Sequence, residues 1–307
     1  MKCLHLHIGS HKTGSTSIQR YFSHFRDYML RKYGVDYPVN LFPNYPIQHS
    51  ELRRFALEGD VEGLRDCFSK LAASSSDPDN LQILMSGEDM SALSRKQVNW
   101  LVAVARDFFD EINTYLILRD KRAYFLSQIK HQYVYDRKLD VFGFLKTLEF
   151  FPNDVVRSWK EAIGEEHVHV IRYDNIKHNL QGEFGRLVTK TQDEFPEPPS
   201  RYVNVSIDFM SAMIGEVILK SWGGYQPHKY VGLIREVAQR HPVLPLSRLE
   251  AQIGAAFQAH YADDDWPEDL RFKPTGDSHA LMSSEELKLL LAFYADLLQS
   301  CGTLVEE

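Results

Sequence analysis

Cysteine is scarce in this chain. There are three in 307 residues, Cys3, Cys67 and Cys301, far apart and in no CxxC pair. An odd, scattered set is neither a disulfide framework nor a zinc knuckle; it suits a reducing compartment, and a cytoplasmic setting is expected. Long hydrophobic runs are also missing. No apolar stretch reaches the roughly 18 residues that would read as a membrane span, so none is expected. The first strand-like segment carries His5 and His7, and no basic stretch leads into a long apolar run, so no signal peptide is expected. Nor is there a basic excess. The 35 Lys and Arg stand against 42 Asp and Glu, a net charge of −7, which argues against duplex nucleic acid as a partner but leaves room for a local basic pocket. Internal repeats and low-complexity linkers are absent. What remains is 44% hydrophobic and 25% charged, a globular composition that rules out collagen-like and disordered chains.

Four short apolar runs, residues 2–8, 81–85, 114–118 and 167–172, read as buried strands. Helical spacing is clearest at 14–33, 94–109, 122–135 and 153–163. Strands alternating with helices predict an α/β fold, a central parallel sheet flanked by helices on both faces. The polar stretch 74–80 reads as a surface loop. The proline-rich Phe195-Pro196-Glu197-Pro198-Pro199 ends the αβ part, because proline cannot continue a helix. We expect one domain over 1–307, with a core of about 1–195 and a helical C-terminal elaboration over about 200–307 that ends in a helix near 284–299. The acidic run at 263–265 reads as a solvated loop.

Open parallel sheets bind ligands beyond the carboxyl ends of their strands, so the residues just after each strand matter most. After the first comes Gly9-Ser10-His11-Lys12-Thr13-Gly14-Ser15-Thr16 and then a helix. A glycine-framed turn with a lysine and hydroxyls between strand and helix is a phosphate cradle, because backbone N–H groups and the positive helix end both favour an anion. The spacing matches a nucleotide P-loop, but Ser15-Thr16 stands where Lys-Ser/Thr should come after Gly14. The plainer reading is a glycine turn capped by Ser or Thr. After the third strand comes Arg119, with Ser127 eight residues on. A guanidinium and a hydroxyl so placed could hold a second phosphate; alone, such an arginine is a salt-bridge partner. The second strand runs into Ser86-Gly87-Glu88-Asp89. Glu88 should lie beside the loop's mouth, where it could also cap the next helix. His49, in an irregular segment before residues 52–57, reads as a structural histidine.

The loop and the Arg119/Ser127 pair, in this order and each after a strand, resemble the sulfotransferases that use 3′-phosphoadenosine 5′-phosphosulfate (PAPS). The segment His7 to Gln19 looks most like the bacterial, carbohydrate-type branch. The likeness covers residues 2–22 and 81–135 and is weaker at Val170-Ile171-Arg172-Tyr173-Asp174, where the family often has Tyr-Glu. It also often has a second serine where this chain has Gly87. The resemblance implies a P-loop-like sulfotransferase fold. It implies that Lys12, Thr13, Gly14, Ser15 and Thr16 hold the 5′-phosphosulfate and that Arg119 and Ser127 hold the 3′-phosphate. Lys12 would stabilise the departing oxygen, and Glu88 or His49 would take the acceptor's proton.

The expected reaction moves a sulfuryl group from PAPS to a hydroxyl or amine, leaving 3′,5′-ADP, on a carbohydrate or glycoconjugate first and on a small molecule second. No metal is required by this scheme. Tyr37, Tyr45, Tyr133 and Tyr135 suit stacking on sugar rings or filling a core, and Arg137 and Lys138 could meet an anionic acceptor. Asn204 and Ser206, in a stretch like one seen in bacterial relatives, are weaker candidates for the cofactor. Three other readings stay open. One is a nucleoside triphosphate-dependent kinase or ATPase, with Glu88-Asp89 as Mg²⁺ ligands. Another is a metal-dependent hydrolase built on His5 and His7, and the last a non-catalytic nucleotide-binding protein.

Overall fold

The structure is a computed structural model and describes residues 1–74, 80–121, 123–125, 127–128, 150–199, 240 and 266–270. The chain divides into two compact units, residues 1–119 with 150–204 and residues 120–149 with 205–307. The sheet lies in the first. Of the expected helix 122–135, residues 123–125 and 127–128 are described and are helical. Tyr133, Tyr135, Arg137, Lys138, the run at 263–265, the Asn204–Ser206 stretch and the expected C-terminal helices lie outside the described residues, as does most of the loop 74–80.

The first unit runs β1 (Cys3–His7), α1 (Ser15–His24), α2 (Arg26–Tyr33), β2 (Val35–Asp36), α3 (Glu51–Glu58), α4 (Val61–Ser74), β3 (Gln82–Ser86), α5 (Arg95–Ala105), β4 (Glu111–Leu118), α6 (Pro152–Ile163), β5 (Val168–Arg172), α7 (Tyr173–Ile176) and α8 (Leu180–Thr189). The five strands form one sheet in the order β2-β3-β1-β4-β5, and every pairing is parallel. The α/β architecture with a central parallel sheet is therefore observed. Burial varies with position in the sheet. All five residues of β1 and seven of the eight in β4 are buried, as strands covered on both faces must be, whereas edge strand β5 leaves Val170 exposed.

Successive strands step to one side of β1 (β2, β3) and then cross to the other (β4, β5). The order therefore reverses at β1, and the crevice beyond its carboxyl end is where such sheets take ligands. The register opposes His7 to Ser86 on one side and to Tyr115 on the other, so the chain leaving β1 emerges between the exits of β3 and β4.

The stretch expected as one helix over 14–33 is two. Phe25 leaves helical geometry (φ −97°, ψ 19°), yet its N–H still donates to Tyr21 O and its carbonyl still accepts from Met29 N, so the break is a bend. α1 turns Ile18, Tyr21 and Phe22 inward at helical spacing, where they join Leu84, Ile117 and Phe184 in one core cluster. Before α5, Glu88–Ala92 form their own 3₁₀ turn. Ser94 donates its backbone N–H to the Gln97 side chain at 2.8 Å and starts α5 without help from Glu88. The capping alternative for Glu88 thus falls away.

Candidate active site

The loop leaving β1 is laced to its neighbours before it turns. Ile8 N donates to Tyr115 O (3.1 Å), Ser10 Oγ donates to Ile117 O (2.9 Å), and Gly87 N donates to His7 O (3.0 Å). Thr13 Oγ1 then donates back to Ser10 O at 2.7 Å, so this buried hydroxyl braces the turn. Three residues stand at positive φ: Gly9 (40°), Lys12 (67°) and Gly14 (83°). For a lysine this conformation stores strain of about 1–3 kcal/mol, which the surrounding bonds hold in place. Gly14 is the N-cap of α1. No side chain caps that end and no acid stands in its first turn, so the helix presents open N–H groups and its positive pole to the loop's mouth.

Glu88 stands at that mouth, with about a third of its side chain exposed. His11 lies opposite. Its Nδ1 is 3.4 Å from Glu88 Oε1 and its Nε2 is 3.4 Å from Asp89 Oδ1. Burial pulls the Glu88 carboxyl upward, but His11, the Ser15 hydroxyl and the Lys12 ammonium together outweigh it and hold the group below its ordinary range. Glu88 therefore stays ionised at neutral pH. His11 is shifted the other way, above its ordinary value, first by contact with Glu88, and then, against burial and Lys12, by the charges of Glu88 and Asp89.

Arg119 stands directly after the last residue of β4. Its guanidinium lies over the ring of Tyr173, 5.1 Å from the centroid, and its Nε is buried with no protein partner. The same Tyr173 ring borders the loop, since a Cβ placed on Gly14 would lie 3.8 Å from it. One aromatic ring thus separates the loop from Arg119. A groove of about 840 Å³ opens here, lined among others by Gly14, Ser17, Tyr173, Lys177 and Leu180.

Lys12, Gly14, Ser15, Thr16, Glu88 and Arg119 are thus found on the same rim of the sheet, at the exits of β1, β3 and β4. Ser127 is half-exposed in a helical turn of the second unit. His49 is elsewhere in kind. Its ring is buried, Nδ1 accepts from Ser86 N–H (2.9 Å) and Nε2 donates to Pro38 O (2.9 Å). Both nitrogens are engaged by backbone, and burial pushes its pKa down to about 4. Tyr37 is a core residue whose hydroxyl donates to Ile47 O, whereas Tyr45 is exposed. His5 and His7 share a sheet face, but His5 meets Tyr115 and Gln82 and His7 meets Ser86. Among the described residues no three His, Cys, Asp or Glu side chains form a metal-ligand group. Sequence reasoning missed His11, because its partnership with Glu88 depends on β1 and β3 being neighbours. It also missed Leu180, which packs on Gly14 from a helix that was not foreseen.

No family model and no curated protein matches the chain. Among solved structures, a sulfotransferase from Alicyclobacillus acidocaldarius is similar at 14% sequence identity and a TM-score of 0.45, over 83% of this chain and 94% of that one. Among the described residues no helix is long and apolar enough to cross a membrane.

Proposed function

We propose that this protein is a sulfotransferase that moves a sulfuryl group from PAPS to a hydroxyl. The first acceptor class is a carbohydrate or glycoconjugate; a small alcohol, phenol or amine is the second. The observation that carries the reading is the shared Tyr173 ring. Its neighbours are, on one side, the buried Arg119 Nε, which has no hydrogen-bond partner among the described residues, and, on the other, an uncapped helix end and a lysine-bearing loop. Two anion-binding groups at that separation suit a nucleotide phosphorylated on both sides of its ribose.

The loop N–H groups and the Ser15 and Thr16 hydroxyls would hold the 5′-phosphate. Lys12 would neutralise the charge that grows on the bridging oxygen as the S–O bond breaks. The acceptor oxygen attacks sulfur in line, and its proton passes to Glu88. A carboxylate held low is a weak base, so the proton moves late, once the new S–O bond has made the hydroxyl acidic. Arg119 would read the 3′-phosphate. The site therefore works by positioning and charge compensation.

Calorimetry with 3′,5′-ADP and 5′-AMP tests the reading. The bisphosphate should bind much more tightly, and equal affinities would discard the role of Arg119. Lys12→Ala should lower transfer by about 10²- to 10³-fold. Glu88→Gln should keep 3′,5′-ADP binding while losing about 10²- to 10⁴-fold in turnover.

A further inference from the structure

We propose that His11, as an imidazolium, is a positioning residue for Glu88: it ties both acids of the β3 exit to the loop that carries Lys12. This rests on the sulfuryl-transfer reading for its consequence, but its geometry stands alone. The two ring nitrogens of His11 face two different carboxylates at the same 3.4 Å separation. A neutral imidazole has one N–H, so one of its nitrogens would point a lone pair at a carboxylate; only the cation satisfies both contacts. The charged groups facing His11 are Glu88 and Asp89 from the β3 exit and Lys12 beside it in the loop.

The arrangement answers a problem in the site. Glu88 and Asp89 are adjacent in sequence and open the 3₁₀ turn together, so their charges repel. Without a cation between them the turn has reason to splay, and Glu88 loses its fixed distance from the reacting atoms. Misplacement on the order of 1 Å costs about a hundredfold in rate. His11 also answers to pH. Raising the pH through its pKa removes the cation, frees the two acids from the loop and leaves Lys12 to attract them instead. Turnover should therefore fall on the alkaline side, in a range set by His11.

Two measurements test this. The first needs no activity: ¹⁵N-detected titration of the His11 ring in wild type, Glu88→Gln and Asp89→Asn. The clamp predicts a doubly protonated ring at neutral pH in wild type and a lower pKa in each variant. A neutral ring at pH 7, or one indifferent to both substitutions, would overturn it. The second is His11→Gln, at a half-exposed position. Affinity for 3′,5′-ADP should change little, kcat should fall about ten- to a hundredfold, and the alkaline limb of the pH profile should vanish. Wild-type kcat with the limb unchanged would overturn the positioning role. If wild-type protein fails to bind 3′,5′-ADP, the sulfuryl-transfer reading falls, and the ring titration still decides the clamp.

Discussion

Gly14 and Leu180 compete for the same volume: a Cβ on Gly14 would stand 2.3 Å from Leu180 Cδ2. The loop can approach α8 this closely only because residue 14 has no side chain. Its φ of 83° would strain an L-residue, a second and independent reason for glycine. Gly14→Ala should therefore destabilise the protein by about 2–5 kcal/mol, from backbone strain and overpacking together. Urea unfolding of Gly14→Ala, Leu180→Ala and the double variant separates the two. Truncating Leu180 should relieve the packing part, so the double variant should be more stable than the sum of the singles by about 1 kcal/mol or more. Simple additivity would mean that strain alone makes glycine necessary.

His49 and Ser86 are joined by two hydrogen bonds, and a third ties the His49 ring to Pro38. His49 N donates to Ser86 O, Ser86 N donates to the His49 ring, and the ring's far nitrogen donates to Pro38 O. The segment before α3 is thereby pinned to the end of β3 like an added strand. Gly87 makes the room, since a Cβ there would sit 3.0 Å from His49 O. His49→Ala should leave a buried N–H and carbonyl without partners beside a new cavity. The expected loss is about 3–5 kcal/mol by denaturant unfolding, with the pH profile of transfer by the remaining folded protein unchanged. Full stability with transfer abolished would instead give His49 the proton-accepting role.

Arg119 owes its position to Tyr173 beneath it. Lysine would keep the charge but lose the planar face and the paired donors. Arg119→Lys should weaken 3′,5′-ADP binding by about ten- to a hundredfold while leaving 5′-AMP almost unchanged. Tyr173→Leu should act in the same direction more mildly, on the scale of about 0.5–2 kcal/mol for a lost cation–π contact. An equal effect on both nucleotides would mean that the pair supports the loop and does not recognise a phosphate.

Much of this site is legible in the sequence because central parallel strands are apolar almost end to end. The run from Thr114 to Leu118 announces itself, although the strand begins earlier at Glu111, and the residue after it falls at the rim. Glu88 is located the same way, from the end of the β3 run. Other parts are silent for physical reasons. β2 has two residues, too few for any pattern. α8 contains Gly182 and Gly185, which read as breakers along the chain. In the fold they are close contacts, for a Cβ would fall 2.7 Å from Asn179 at the first and 2.6 Å from Phe195 at the second. The bend at Phe25 leaves the helical pattern unbroken across it. The His11 pairing and the bracing by His49 are facts of strand adjacency, and spacing in sequence carries no trace of them.

Buried histidines should make the fold sensitive to acid. His5, His7 and His49 are buried, and loss of hydration lowers each to a pKa of about 4 from an ordinary value of 6.5. His169 is shifted the same way, also mainly by burial. Each is neutral in the folded state and takes up a proton on unfolding below pH 6.5, so the unfolded chain binds more protons. Stability must then rise with pH between about 4 and 6.5, and fall as the solution is acidified through that window. With three such groups the slope approaches about 4 kcal/mol per pH unit near its steepest. Urea midpoints measured from pH 4.5 to 7.5 should show it, the rise ending near pH 6.5, above which the raised His11 acts in the opposite direction. His5→Gln, which retains polar reach toward Tyr115 and Gln82, should flatten the slope by about a third. A profile level across this range would mean that the three rings titrate in the folded protein as they do in water.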